Sequence, residues 1–132
     1  MSHPRAALAL TTFLAAVTLF VAAAPAPHAQ GRQQVTSAPV AVIRALDKIT
    51  GETTDMEIAR GERKRYGRLS IVLGDCRYPT ESPASEAFAW LEIRDDTMTS
   101  PAFSGWMLAS SPALHAMDHP RYDIWVLRCK RS

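Results

Sequence analysis

Six short apolar runs, each closed by turn residues, fill residues 40–129 and constrain the fold more than any other feature of the chain. They are rich in Val, Ile, Leu, Phe and Trp, and they alternate in a way that suits half-buried strands. Along "VAVIRALDKI", Val42, Arg44, Leu46 and Lys48 alternate with Ala41, Ile43, Ala45 and Ile49. Thr50 and Gly51 then turn the chain, and "TTDMEIA" returns with Met56 and Ile58 on one face, which predicts a β-hairpin. "RGERKRYG" reads as a charged connection punctuated by Gly61 and Gly67. "RLSIVLGDC", "EAFAWLEIR", "AFSGWMLAS" and "YDIWVLRC" supply four further strands. In the last of these, Trp125, Leu127 and Cys129 share one face and Tyr122, Ile124 and Val126 the other, and Trp125 is expected in the core. The expected fold is all-β, a single small sandwich or barrel of about six to seven strands. One short helical turn is expected near 112–119, with Ser111 as its cap, Pro112 in its first turn and Pro120 as its stop.

The chain opens on "MSHPRAALALTTFLAAVTLFVAAAPAPHAQ": a short basic head, an apolar run from Ala6 to Ala24, and a Pro- and Ala-rich tail. That layout predicts a signal peptide over residues 1–29, cleaved after Ala29. The competing reading is an uncleaved anchor, because the run approaches the ~20 residues that span a bilayer. Residues 30–39 are polar and aperiodic and read as a flexible linker, which leaves 40–132 as the single β-rich domain. Export to an oxidising compartment predicts that the only two cysteines, Cys76 and Cys129, form a disulfide bond. Two free thiols or half of a metal site are the alternatives. With 15 Lys and Arg against 13 Asp and Glu the charge is nearly balanced, and nothing global points to nucleic acid.

The stretch "ASSPALHAMDHP" concentrates the chemistry-bearing side chains. Ser110 or Ser111 with His115, His119 and Asp118 has the composition of a hydrolase triad, but no Gly-x-Ser-x-Gly elbow accompanies it. His115 and His119 lie four residues apart, so a helix would set them on one face as metal ligands, with Asp118 beside them. Three protein ligands are usual for catalytic zinc, and the sequence offers no obvious further one. No catalytic residue and no cofactor is therefore assigned, and His115, His119 and Asp118 stand as metal candidates only. The basic stretch around Arg63, Lys64 and Arg65 could attract phosphate groups, or could simply be a solvated hairpin edge. Phe88 and Trp90 share a face with Glu92 and Arg94, and with Trp106 they are the candidates for an exposed aromatic platform, core burial being the alternative.

"LDKITG", "YGRLSIVLGDC" and "FSGWMLASSPALHAMDHPRYDIWVLRC" together resemble the family called domain of unknown function 2155, over nearly the whole domain. Gly105-Trp106-Met107, Ser111-Pro112 and His119-Pro120-x-Tyr122-Asp123-x-Trp125 carry the resemblance. Asp118 departs from it, standing where Glu is expected before His-Pro. The resemblance implies a small exported bacterial protein, here periplasmic, and brings no activity with it. It also hints at an inner-membrane partner.

Three functional readings follow. The first is a non-catalytic periplasmic β-domain that binds an unknown envelope protein or polymer. Membrane contact is then expected only through an uncleaved signal or a complex partner. The second is a metal-binding protein or metal-dependent hydrolase centred on His115 and His119. The third is a structural accessory subunit of an inner-membrane complex.

Overall fold

A computed structural model describes residues 31–132, which form eight strands and no helix. These are β1 Val35–Ala38, β2 Val40–Asp47, β3 Thr53–Ala59, β4 Arg63–Tyr66, β5 Leu69–Pro79, β6 Phe88–Asp95, β7 Phe103–Leu108 and β8 Tyr122–Lys130. The signal peptide expected over 1–29 lies outside the described residues. Five strands make one antiparallel sheet in the order β1-β5-β6-β7, with β4 also paired to β5; the other three make a second sheet, β3-β2-β8. Among the described residues no ladder joins the two sheets, so the all-β fold is sandwich-like and not a closed barrel.

The alternation seen in the sequence sorts the core. Ala41, Ile43 and Ala45 of β2, Ile58 of β3, Leu69, Ile71 and Leu73 of β5, Leu91 and Ile93 of β6, and Ile124 and Val126 of β8 are all buried between the sheets. Each such Leu or Ile stabilises the fold by about 1.5–3 kcal/mol. Every strand among the described residues, their buried core and the disulfide fall within residues 35–130, so residues 31–132 hold together as one compact unit.

Two expectations about the chain's irregular stretches need correction. Residues 30–39 are not all linker, because Val35–Ala38 forms β1 on β5. Likewise, the charged connection contains β4, paired to β5 through Arg63 to Tyr66. The cause lies in β5, whose 11 residues leave an edge long enough for both. β4 takes Leu69 to Val72, and β1 takes Cys76 to Pro79. Both strands are half exposed and polar outside, so neither has an apolar run to announce it.

The helical turn expected near 112–119 is a single turn over residues 112–115, closed by the Leu114 N–H donating to the Ser111 carbonyl. Residues 116–119 continue without helix. The next proline disfavours helical geometry at His119, and the side chains of His115 and His119 bond to distant strands instead. Trp125 also departs from expectation. It lies on the outer face of the three-stranded sheet, opposite Arg44 and half-buried, because Tyr122, Ile124 and Val126 take the inner face.

Two bulges decide where the cysteines point. In β5 the register shifts between Leu73 and Asp75, leaving Gly74 unpaired; in β8 it shifts opposite Val42 and Ile43, leaving Leu127 unpaired. Each extra residue reverses the alternation beyond it. Cys76 thus follows Leu73 onto the inner face, and Cys129 follows Val126. There they form a disulfide across the sandwich, with Cα atoms 5.7 Å apart.

Candidate functional site

The dense segment before β8 is largely consumed by the fold. His119 is buried. Its Nδ1 accepts the backbone N–H groups of Arg121 (3.1 Å) and Tyr122 (3.0 Å), which leaves Nε2 to donate to Asp95 Oδ2 at 2.9 Å. Asp95 closes β6 and has no exposed side-chain surface. Its Oδ1 accepts the Thr97 hydroxyl (2.6 Å) and backbone N–H (2.7 Å), and Oδ2 also accepts Arg68 Nε (3.2 Å). These Thr97 bonds first, then His119 and Arg68, hold the Asp95 carboxyl far below the ordinary carboxylate range against the opposing effect of burial. Tyr122 stacks on His119 at 5.3 Å and meets Tyr66 edge-on at 5.6 Å. Arg121 binds Asp47 through Nε (3.1 Å) and Nη2 (2.8 Å), which with the Ile49 backbone N–H lowers the Asp47 pKa. His119 and Tyr122 therefore fasten the start of β8 to β6 and β4 of the other sheet, while Arg121 ties it to the end of β2 in its own.

His115 serves a different strand. Its Nδ1 donates to the Trp106 carbonyl at 2.8 Å, and its ring lies 4.7 Å from that of Phe103. It also covers Gly105 so closely that an added Cβ there would overlap Cε1. His115 and His119 are therefore directed to different partners, and Asp118 is exposed. No group of three or more His, Cys, Asp or Glu side chains among the described residues is placed to hold a metal ion. Ser110 donates to Glu86 through its hydroxyl and its backbone N–H, a carboxylate and not a histidine. Burial raises the Glu86 pKa, but the bonds from Ser110 and Ala87 outweigh it and hold the group ionised. The triad composition does not assemble.

The aromatic candidates do come together. Register puts Phe88, Trp90 and Trp106 on the outer face of the five-stranded sheet, with Trp90 directly opposite Trp106 and Phe88 opposite Arg77. The Trp90 and Trp106 rings stand edge to face, 5.8 Å apart. Trp90 is 38% exposed, large for an indole in a sheet. It reaches sideways over the bulge, where a side chain at Gly74 would overlap its ring. Arg77 lies over the Trp106 ring, its Cζ 4.9 Å from the centroid, and its Nε binds Asp75 at 2.7 Å. Val35, Arg77, Phe88 and Trp106 line a shallow depression of about 270 Å³. The result is an apolar band crossing β1, β5, β6 and β7.

The basic candidates divide. Arg63 and Arg65, opposite Val72 and Ser70, are on this same outer face, where Arg65 pairs with Asp96 and Arg63 donates to Ser70. Lys64 stands opposite inward-facing Ile71 at the sheet edge and meets Glu62 at 3.7 Å. Sequence reasoning missed Arg77 and Val35 in the band and Asp95 in the His119 cluster. The one hint of an inward side chain at Asp95 is its place one alternation after Ile93.

A family model described as an uncharacterized protein conserved in bacteria, domain of unknown function 2155, matches residues 41–129. An uncharacterized protein of Rickettsia prowazekii is 30% identical over 90 residues, 66% of this chain and 58% of that relative. The chain thus spans somewhat over half the length of the curated relative it matches. No solved structure matches it.

Proposed function

The chain belongs to this family of uncharacterized bacterial proteins, conserved as domain of unknown function 2155, and we propose that this member is a non-catalytic, exported β-domain that binds an envelope component. The observation that carries the reading is the aromatic band on the outer sheet face. The 38% of Trp90 left open to solvent, beside a second indole and a phenyl ring, adds nothing to the buried core, and such exposed aromatic clusters mark contact surfaces. The side chains with catalytic potential are meanwhile engaged by the fold: His119 and Asp95 with each other, Ser110 with Glu86, His115 with a strand carbonyl. Periplasmic location is supported by the apolar run Ala6–Ala24 and by a disulfide that an oxidising compartment would maintain.

The test is photo-crosslinking in intact cells from two exposed positions: Ser104 beside Trp106 on the band, and Thr53 on the other sheet. Adducts are expected from Ser104, not Thr53, and are expected to fade in Trp90→Ala/Trp106→Ala. Equal adducts from both positions, or none from Ser104, would remove the reading.

A further inference from the structure

We propose that the outer face of the five-stranded sheet docks on an anionic phospholipid surface, with Val35, Phe88, Trp90 and Trp106 entering its interfacial layer. This deepens the binding reading above by naming its ligand.

The lining of the band favours a lipid surface over a glycan or a small ligand. Its depression is shallow, and Arg77 is the only charged group among the four residues that line it. A small ligand wants a concave cleft with several converging polar groups. A bilayer interface instead favours indole rings, whose apolar bodies and polar N–H groups suit the headgroup layer. Arg77 extends along Trp106, an arrangement in which an apolar stem stays with the aromatic surface while the charged head remains near water or phosphate.

The charge of the face points the same way. Arg60, Arg63, Arg65, Arg77 and Arg94 belong to it or reach it, against the carboxylates of Asp75, Glu92 and Asp96. Arg60 and Arg77 share the single carboxylate of Asp75, so positive charge is left over beside the aromatic band. Each arginine close to an anionic leaflet contributes about 1 kcal/mol. Neither the aromatic nor the electrostatic contribution would hold the domain alone, and durable surface binding takes two such signals.

The course of the chain supplies an independent reason. Val35, the first residue of β1, is itself part of the band, so the upstream chain joins the domain at this face. Between it and the apolar run ending at Ala24 lie only residues 25–34, an extended span of at most about 35 Å. While a bilayer holds that run, the Val35 end of the domain stays within reach of the same bilayer.

The experiment uses residues 31–132, which contain the whole core and the disulfide. They are mixed with vesicles of phosphatidylethanolamine and phosphatidylglycerol, with and without brominated acyl chains, and with vesicles of phosphatidylcholine. Trp125→Phe keeps only the two indoles of the band; Trp90→Phe/Trp106→Phe keeps only Trp125, on the outer face of the opposite sheet. Binding is expected to the anionic vesicles alone and to weaken with salt, and brominated lipid should quench the first variant but not the second. Phe88→Ser/Trp106→Ser should lower partitioning at least about tenfold, because it removes two of the three rings that enter the lipid. Failure to bind anionic vesicles, or equal quenching of both variants, overturns the proposal. In the full chain, a crosslinker at Ser104 separates the two levels. A lipid adduct supports both, a protein adduct keeps the binding reading and overturns the lipid one, and no adduct overturns both.

Discussion

Reducing the Cys76–Cys129 bond should cost the domain most of its stability. The bond joins residues 53 apart in sequence and ties β5 of one sheet to β8 of the other. In the chain-entropy treatment a loop of that size removes about 14 cal/mol/K from the unfolded ensemble, or about 4 kcal/mol at 25 °C. A domain of this size has a total stability of about 5–10 kcal/mol, so the reduced form should retain only a small margin. The assay is urea unfolding followed by tryptophan fluorescence, on oxidised protein and on the same protein in excess reductant. With an m-value of about 1–1.5 kcal/mol/M the midpoint should fall by about 3 M. Reduction is preferable to Cys76→Ala, because Cys76 is fully buried and truncation would add a cavity cost of its own. A midpoint that moves by less than about 0.5 M at constant m would refute the reasoning. It would mean that the unfolded chain is already held together elsewhere, or that the sheets pack well enough without the link.

Asp95→Ala should be among the most damaging single substitutions, costing about 3–5 kcal/mol in chemical denaturation, since it strands Arg68, His119 and the Thr97 N–H without their acceptor. The same carboxylate sets the acid limb of stability. Its pKa is depressed in the folded state, so its contribution is complete above the unfolded value of about 3.9 and is lost as pH falls through the lower folded value. Stability measured across that range should therefore fall more gently in Asp95→Asn than in the wild type. Gly105→Ala should cost at least about 1–3 kcal/mol, because the backbone there is held at a φ of +155° and an added Cβ also overlaps the His115 ring, and only the ring's share should disappear in a His115→Ala background. Equal costs in the two backgrounds would show that the ring contact is not the cause.

The sequence was most legible where burial is regular. The alternation of Ala41, Ile43 and Ala45 against Arg44 and Leu46 gave the hairpin and its inner face, and Phe88, Trp90, Glu92 and Arg94 were rightly grouped on one face. Legibility failed where one residue shifts the phase. A strict two-residue period carried from Leu69, Ile71 and Leu73 points Cys76 outward, and from Tyr122, Ile124 and Val126 points Cys129 outward. Gly74 and Leu127 reverse both. Bulges are chosen by pairing across strands, and a single strand's sequence carries only a faint mark of them, here a glycine inside an apolar run. Trp125 was misplaced for a related reason. Both faces of β8 are apolar, so periodicity cannot say which one meets the opposite sheet.

The density of special residues between Phe103 and Cys129 follows from what that segment has to do. It leaves β7 at one edge of the larger sheet and enters β8 in the smaller one, and the crossing offers its backbone no ladder. Where that crossing is buried, at Met117 and His119, its polar groups must be satisfied by other means. His119 Nδ1 accepts two backbone N–H groups, Lys48 Nζ donates to the His119 carbonyl, and the Lys48 N–H donates to that of Arg121 at 2.8 Å. His115 does the same service in reverse by donating to a carbonyl of β7. Histidine suits both tasks because one ring nitrogen can accept while the other donates. The chemistry that makes histidine a metal ligand or a base is the chemistry spent here on the connection. The indole and phenyl rings on the outer face of the larger sheet take no part in that connection, and they are the side chains on which the proposed binding rests.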